Sequence, residues 1–144
     1  MDGSFTVIKG NVVRDPELKQ ISTGDYLASF TVAINRGPRD NKKTTFVDVV
    51  AWRSLAENLA NTFKSGLRVW VEGYLEQNTW EDKEGNTRSK ISLQARDGGP
   101  SVLYGYFNDL DYVKNFTPYN AGESNNYDAG NDSDSSDSDD DSPF

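Results

Sequence analysis

From Asn115 onward the chain contains no Ile, Leu, Val or Met, so any hydrophobic core must be built by residues 1–114. A segment that poor in apolar area cannot offset the entropy of ordering its backbone. One domain over residues 1–114 followed by a disordered acidic tail over 115–144 is the expectation. Charge divides at the same place. All 15 basic residues and 15 of the 23 acidic ones precede Asn115, which leaves the front segment neutral. The other 8 acids, Glu123 and seven Asp, account for the net charge of −8. The pI near 4.5 therefore belongs to a separable tail and does not argue against a body that binds polyanions.

The chain has no Cys and no His. A disulfide framework and a thiolate metal site are thereby excluded, and the commonest general base and metal ligand are missing. No catalytic residue, metal or cofactor is expected. No basic stretch followed by an apolar one opens the chain, and no apolar run approaches the roughly 18 residues of a membrane span. The expected setting is cytoplasmic, away from the membrane.

The tail carries an Asp-Ser run over 132–142 and closes on Pro143-Phe144. A solubilising charge brush is the plainest reading of such a run. It leaves the terminal aromatic without a use. A partner with an apolar pocket ringed by Arg or Lys would take the Phe144 ring, its α-carboxylate and Asp139, Asp140 and Asp141 together.

In the body the apolar period is mostly two, interrupted by one helix. Phe5 to Val13 reads as a first strand with Gly10-Asn11 as a bulge, and Asp15-Pro16-Glu17 as a turn. Tyr26 to Arg36 and Thr44 to Trp52 read as a long hairpin whose tip carries Arg36, Arg39, Lys42 and Lys43. Ser54 and Glu57 fit a capping box, with Leu55, Leu59 and Phe63 forming the apolar stripe of the helix and Gly66 its stop. Leu67 to Trp80 is the fourth strand, with Leu67, Val69, Val71 and Leu75 on one face and a kink at Gly73. After a turn over Asp82 to Asn86, Thr87 to Ala95 is the fifth. Five strands with a helix between the third and fourth is the element order of an OB-fold, a five-stranded Greek-key barrel, although sandwich and SH3-like arrangements share much of it.

An interface for single strands needs exposed aromatic faces for base stacking and cations for phosphates. Phe46, Asp48, Val50 and Trp52 share one face of the third strand, which sets two aromatics at the ends of a strip about 20 Å long. Trp80 lies among polar residues where the fourth strand enters its turn. Core packing competes with stacking for Phe46 and Trp52, and Trp70, between Val69 and Val71, suits a subunit contact. Lys19, Arg53, Arg88 and Lys90 are each uninformative alone.

Several segments resemble the bacterial-type single-stranded DNA-binding proteins. The segment Gly10-Asn11-Val12-Val13-Arg14-Asp15-Pro16-Glu17-Leu18-Lys19 is similar to the family's G-N-L-x-x-D-P-E-x-R stretch. Phe46 to Trp52, Leu55-Ala56-Glu57, Gly66 to Gly73 and Trp80 follow in family order, and Asp139 to Phe144 resembles the family's D-D-D-x-P-F ending. The resemblance implies an OB-fold, assembly as a homotetramer, and nucleoid-associated binding of single-stranded DNA without chemistry. It places stacking aromatics at Phe46, Trp52 and Trp80 and a basic contact at Lys19. Beside these, the charged positions Arg36, Arg39, Lys42, Lys43, Arg53 and Arg88 are expected as further DNA-binding residues. It also implies that the tail peptide, anchored by Phe144, recruits replication, recombination and repair proteins. Two departures stand out. Asp48 occupies a position often basic in the family, and Glu76-Gln77-Asn78-Thr79 replaces a stretch often rich in Arg and Lys. Fewer cations predict weaker binding or a shallower salt dependence.

Overall fold

The computed structural model describes residues 1–116. The expected recognition peptide Asp139, Asp140, Asp141, Pro143 and Phe144 lies outside the described residues. The elements in order are β1 (Thr6–Val12), β2 (Glu17–Gln20), β3 (Tyr26–Arg36), a 3-10 turn (Arg39–Asn41), β4 (Lys43–Trp52), α1 (Arg53–Thr62), β5 (Arg68–Glu81) and β6 (Thr87–Pro100).

Alternation along β4 does what the period of two predicts. Val49 and Ala51 are fully buried, while Phe46 and Trp52 face out. The inward residues meet Phe30 and Val32 from β3, Val69 and Val71 from β5, and Leu93 from β6 in one core. Helix α1 adds Ala56 and Leu59, and Phe63 just beyond it is fully buried. Its ring meets Phe30 edge-on, with centroids 5.4 Å apart and planes at 85°. Burying a ring of this size stabilises the fold by about 1.5–3 kcal/mol.

Pairing runs round a closed circuit. Strand β1 pairs antiparallel with both β5 and β3, β3 with β4, and β5 with β6. A short parallel rung, Val49 with Leu93 and Val50 with Gln94, joins β4 to β6 and completes the ring. Five strands closed in this order, with one helix between β4 and β5, make an OB-fold.

The sequence expectations need correction in four places. Strand β2 is a sixth strand, pairing with β3 from Glu17 to Gln20, where only a turn at Asp15 to Glu17 is expected. All four of its residues are exposed, so no alternation marks it. Gly10 sits in an unbroken register with β5 and is no bulge; a Cβ there would run into the Ala33 carbonyl as β1 crosses β3. The helix starts at Arg53, one residue before the expected Ser54, and Arg53 takes a φ of 61° just after Trp52. Finally, Leu75 is not in the core. The β5–β6 register slips between Glu72 and Gly73, after which β5 is exposed, with Leu75 49% accessible although its partner Leu93 is buried; past Glu76 and Ser92 both strands run on as an exposed arm.

Past β6 the chain continues without regular structure to the end of the described residues. The Ser101 amide donates to the Arg68 carbonyl, and the Asn115 side chain donates to Glu57 and Asn58 on α1. Asn115, expected as the first tail residue, is thus seated on the helix.

Candidate nucleic-acid interface

Directly paired residues of neighbouring strands point to the same side of a sheet, so the register builds the outer surface row by row. Lys19, Leu27 and Trp52 form one row across β2, β3 and β4. Thr31 and Asp48 form another, and Ala33 and Phe46 a third. On the arm, Asn78 pairs with Lys90 and Trp80 with Arg88. The Thr31–Asp48 and Asn78–Lys90 rows line a groove of about 490 Å³ together with Val50 and Ser92 among others, and Arg14, Asp15 and Glu17 line it from the β1–β2 side. Its volume is within the range of small-ligand pockets, roughly 300–1,000 Å³.

The three expected aromatics all have free faces: Phe46 is 64% exposed, Trp52 43% and Trp80 47%. An isolated domain gains nothing by leaving such rings in water. Trp52 is also oriented, because its Nε1 donates to Gln94 Oε1 at 3.3 Å and Gln94 Nε2 in turn donates to Ser92 Oγ at 3.3 Å. Gln94 and Ser92 are both buried, and Ser92 lines the groove. Trp70 is half-buried and lies across Gly99, where a Cβ would come within 3.2 Å of its indole nitrogen.

The cations fall into separate groups. Lys19 shares the Trp52 row, and Arg53 follows Trp52 with its guanidinium 3.8 Å from Asp25. Arg88 lies opposite Trp80, and its Nε donates to Asp82 Oδ2 at 2.9 Å. The Asp82 carboxylate also accepts the amides of Glu84 and Asn86. Arg88 first, then these amides, hold its carboxyl below the usual carboxylate range. Arg36, Arg39, Lys42 and Lys43 are not brought to the groove. They crown the β3–β4 hairpin beyond Phe46, with Arg36 directly opposite Lys43 and a second hollow of about 470 Å³ beside them. Like charges placed directly opposite destabilise a hairpin unless an anion joins them.

Two groove residues escape sequence reasoning. Lys90 is one cation among many in the chain, yet its Nζ lies 3.1 Å from Asp48 Oδ2. Gln94 gives no signal beyond being polar between Leu93 and Ala95. Among the described residues no cluster of His, Cys, Asp or Glu could hold a metal, and no helix is long and apolar enough to cross a membrane.

The model of the single-strand binding protein family matches residues 4–99, from β1 through all but the last residue of β6. The chain belongs to this family. It is 38% identical over 112 residues to a single-stranded DNA-binding protein of Corynebacterium glutamicum, covering 72% of this chain and 48% of that one. Against the single-stranded DNA-binding protein of Paenarthrobacter aurescens it is 36% identical, over 72% of this chain and 66% of the relative. Against that of Mycobacterium tuberculosis it is also 36% identical, over 72% and 68%. The chain covers 48% to 68% of the length of these relatives, and the family match ends at residue 99, before the acidic tail.

Proposed function

We propose that this protein binds single-stranded DNA with broad sequence tolerance, as a binding protein without catalysis. Three exposed aromatic rings, each two residues along its strand from a groove-lining residue (Phe46 from Asp48, Trp52 from Val50, Trp80 from Asn78), in a member of the single-strand binding protein family, carry the reading. Bases stack on Phe46, Trp52 and Trp80, each contributing on the order of 1–3 kcal/mol, and phosphates are met by Lys19, Arg53 and Arg88. The basic hairpin tip of Arg36, Arg39, Lys42 and Lys43 takes a further stretch of backbone. A homotetramer brings several such grooves together. The acidic terminal peptide Asp139 to Phe144 recruits replication, recombination and repair proteins to the covered strand.

Intrinsic fluorescence tests the groove. Oligo-dT should quench the Trp emission, and Trp80→Ala should weaken binding about tenfold, as the loss of one stacked base implies. Repeating the titration at rising salt should give a shallow slope, because the groove pairs its cations with acids and few counterions are released. Unquenched emission, or full affinity in Trp80→Ala, would refute the assignment.

A further inference from the structure

The centre of the groove holds a carboxylate, which is an unexpected group in a site for a polyanion. Asp48 Oδ1 accepts from Thr31 Oγ1 at 2.8 Å, and Oδ2 lies 3.1 Å from Lys90 Nζ. Three strands, β3, β4 and β6, thereby hold the pair in one place. Both side chains still reach the groove, Asp48 at 41% and Lys90 at 55% exposure. Each carboxylate oxygen offers two acceptor sites and the ammonium three donors, so both partners retain hydrogen-bonding capacity toward a ligand. A phosphate seated there would meet the Asp48 charge. The edge of a base would not. Phe46 stands two residues along on the same face, about 7 Å away by the rise of a strand, with its ring free for stacking.

The geometry points to Asp48 and Lys90 as a base-reading pair that favours guanine, an inference that rests on the single-strand reading above. The Watson–Crick edge of an unpaired base is open to hydrogen bonding. Guanine presents N1–H and N2–H side by side, which suits the two oxygens of a carboxylate, and its O6 next to them suits the ammonium. Cytosine and adenine present one exocyclic amine each. Thymine presents a single imide N–H between two carbonyl oxygens, one of which would face an Asp48 oxygen. The order of preference at this subsite is guanine, then cytosine and adenine, then thymine. A groove built on stacking alone would owe its preferences to stacking strength and backbone flexibility, and they would not respond to the group at residue 48.

Anisotropy titrations of the full chain decide the matter. The probes are labelled oligo-dT and a strand of equal length in which every third thymine is guanine, both in lithium buffer to prevent quadruplexes. The guanine strand should bind roughly fivefold more tightly, the lower end of what a bidentate base contact supplies. Inosine in place of guanine, which lacks the N2 amine, should lose about half of that advantage on a logarithmic scale. Asp48→Asn replaces one acceptor oxygen with a donor and should bring guanine and thymine strands within about twofold. Equal binding of both strands by the wild type, or an unchanged preference in Asp48→Asn, would overturn the base-reading pair alone. Binding of neither strand would overturn the single-strand reading beneath it.

Discussion

At Gly73 a side chain would run into the Gln94 carbonyl, and that backbone group cannot move without opening the β5–β6 ladder. The same Gln94 holds Trp52 through its side chain, so one glycine links barrel closure to the pose of a groove aromatic. Gly73→Ala should therefore lower stability by about 1–3 kcal/mol, the usual cost of forcing a group into a packed site. It should also shift the Trp emission spectrum. Denaturant unfolding of this variant beside Gly3→Ala, whose Cβ meets nothing, checks it. Equal midpoints for the two would contradict the clash. A kink at Gly73 is readable in the sequence as a glycine inside a strand, whereas its contact with Gln94 depends on a partner strand that no local pattern specifies.

At the scale of elements, the β5–β6 arm stands out because it is a hairpin with no core beneath it. Its turn is held instead by Asp82, which gathers the amides of Glu84 and Asn86 and the Arg88 guanidinium, while Gly85 supplies a φ of 84°. These bonds favour the charged carboxylate, so its pKa is lower in the folded arm than in the unfolded chain. A depressed carboxylate contributes its stabilisation in full above the unfolded value, about 3.9, and loses it as pH falls through the folded one. The Glu84 and Asn86 amide resonances should therefore stay in place down to about pH 4 and shift only below it. An NMR titration with a midpoint above the ordinary Asp value would contradict this. The turn itself was legible, since Asp82 to Asn86 carries the residues such turns use. The length of the arm was not, because Leu75 continues the apolar period of Val69 and Val71 past the register slip at Gly73, onto a face that the core does not cover.

At the scale of the whole molecule, a neutral body is joined to a tail with all of the net charge. Removing Asp139–Phe144 should abolish capture of replication and repair proteins while leaving oligo-dT affinity equal or slightly higher, because a polyanion that competes for the groove is shortened. Titration of the truncated chain, with pull-down by the full-length one as reference, checks both halves. A drop in DNA affinity would contradict the division of labour.

Local chemistry set much of this protein from sequence alone. The period of two in β3 and β4, the stripe of α1 and the clustering of tail acids are properties of neighbouring residues, and each was readable where it stands. That Phe46 and Trp52 share a face followed from the same alternation, whereas that this face is the outer one did not. Only the closed barrel decided the rest. It made a strand of Glu17–Gln20, whose exposed residues carry no pattern, by offering it the edge of β3. It also carried Gln94 to Trp52 across 42 residues of chain and set Lys90 against Asp48. Those meetings depend on the register in which β6 closes on β4, and that register is fixed by packing of the whole core.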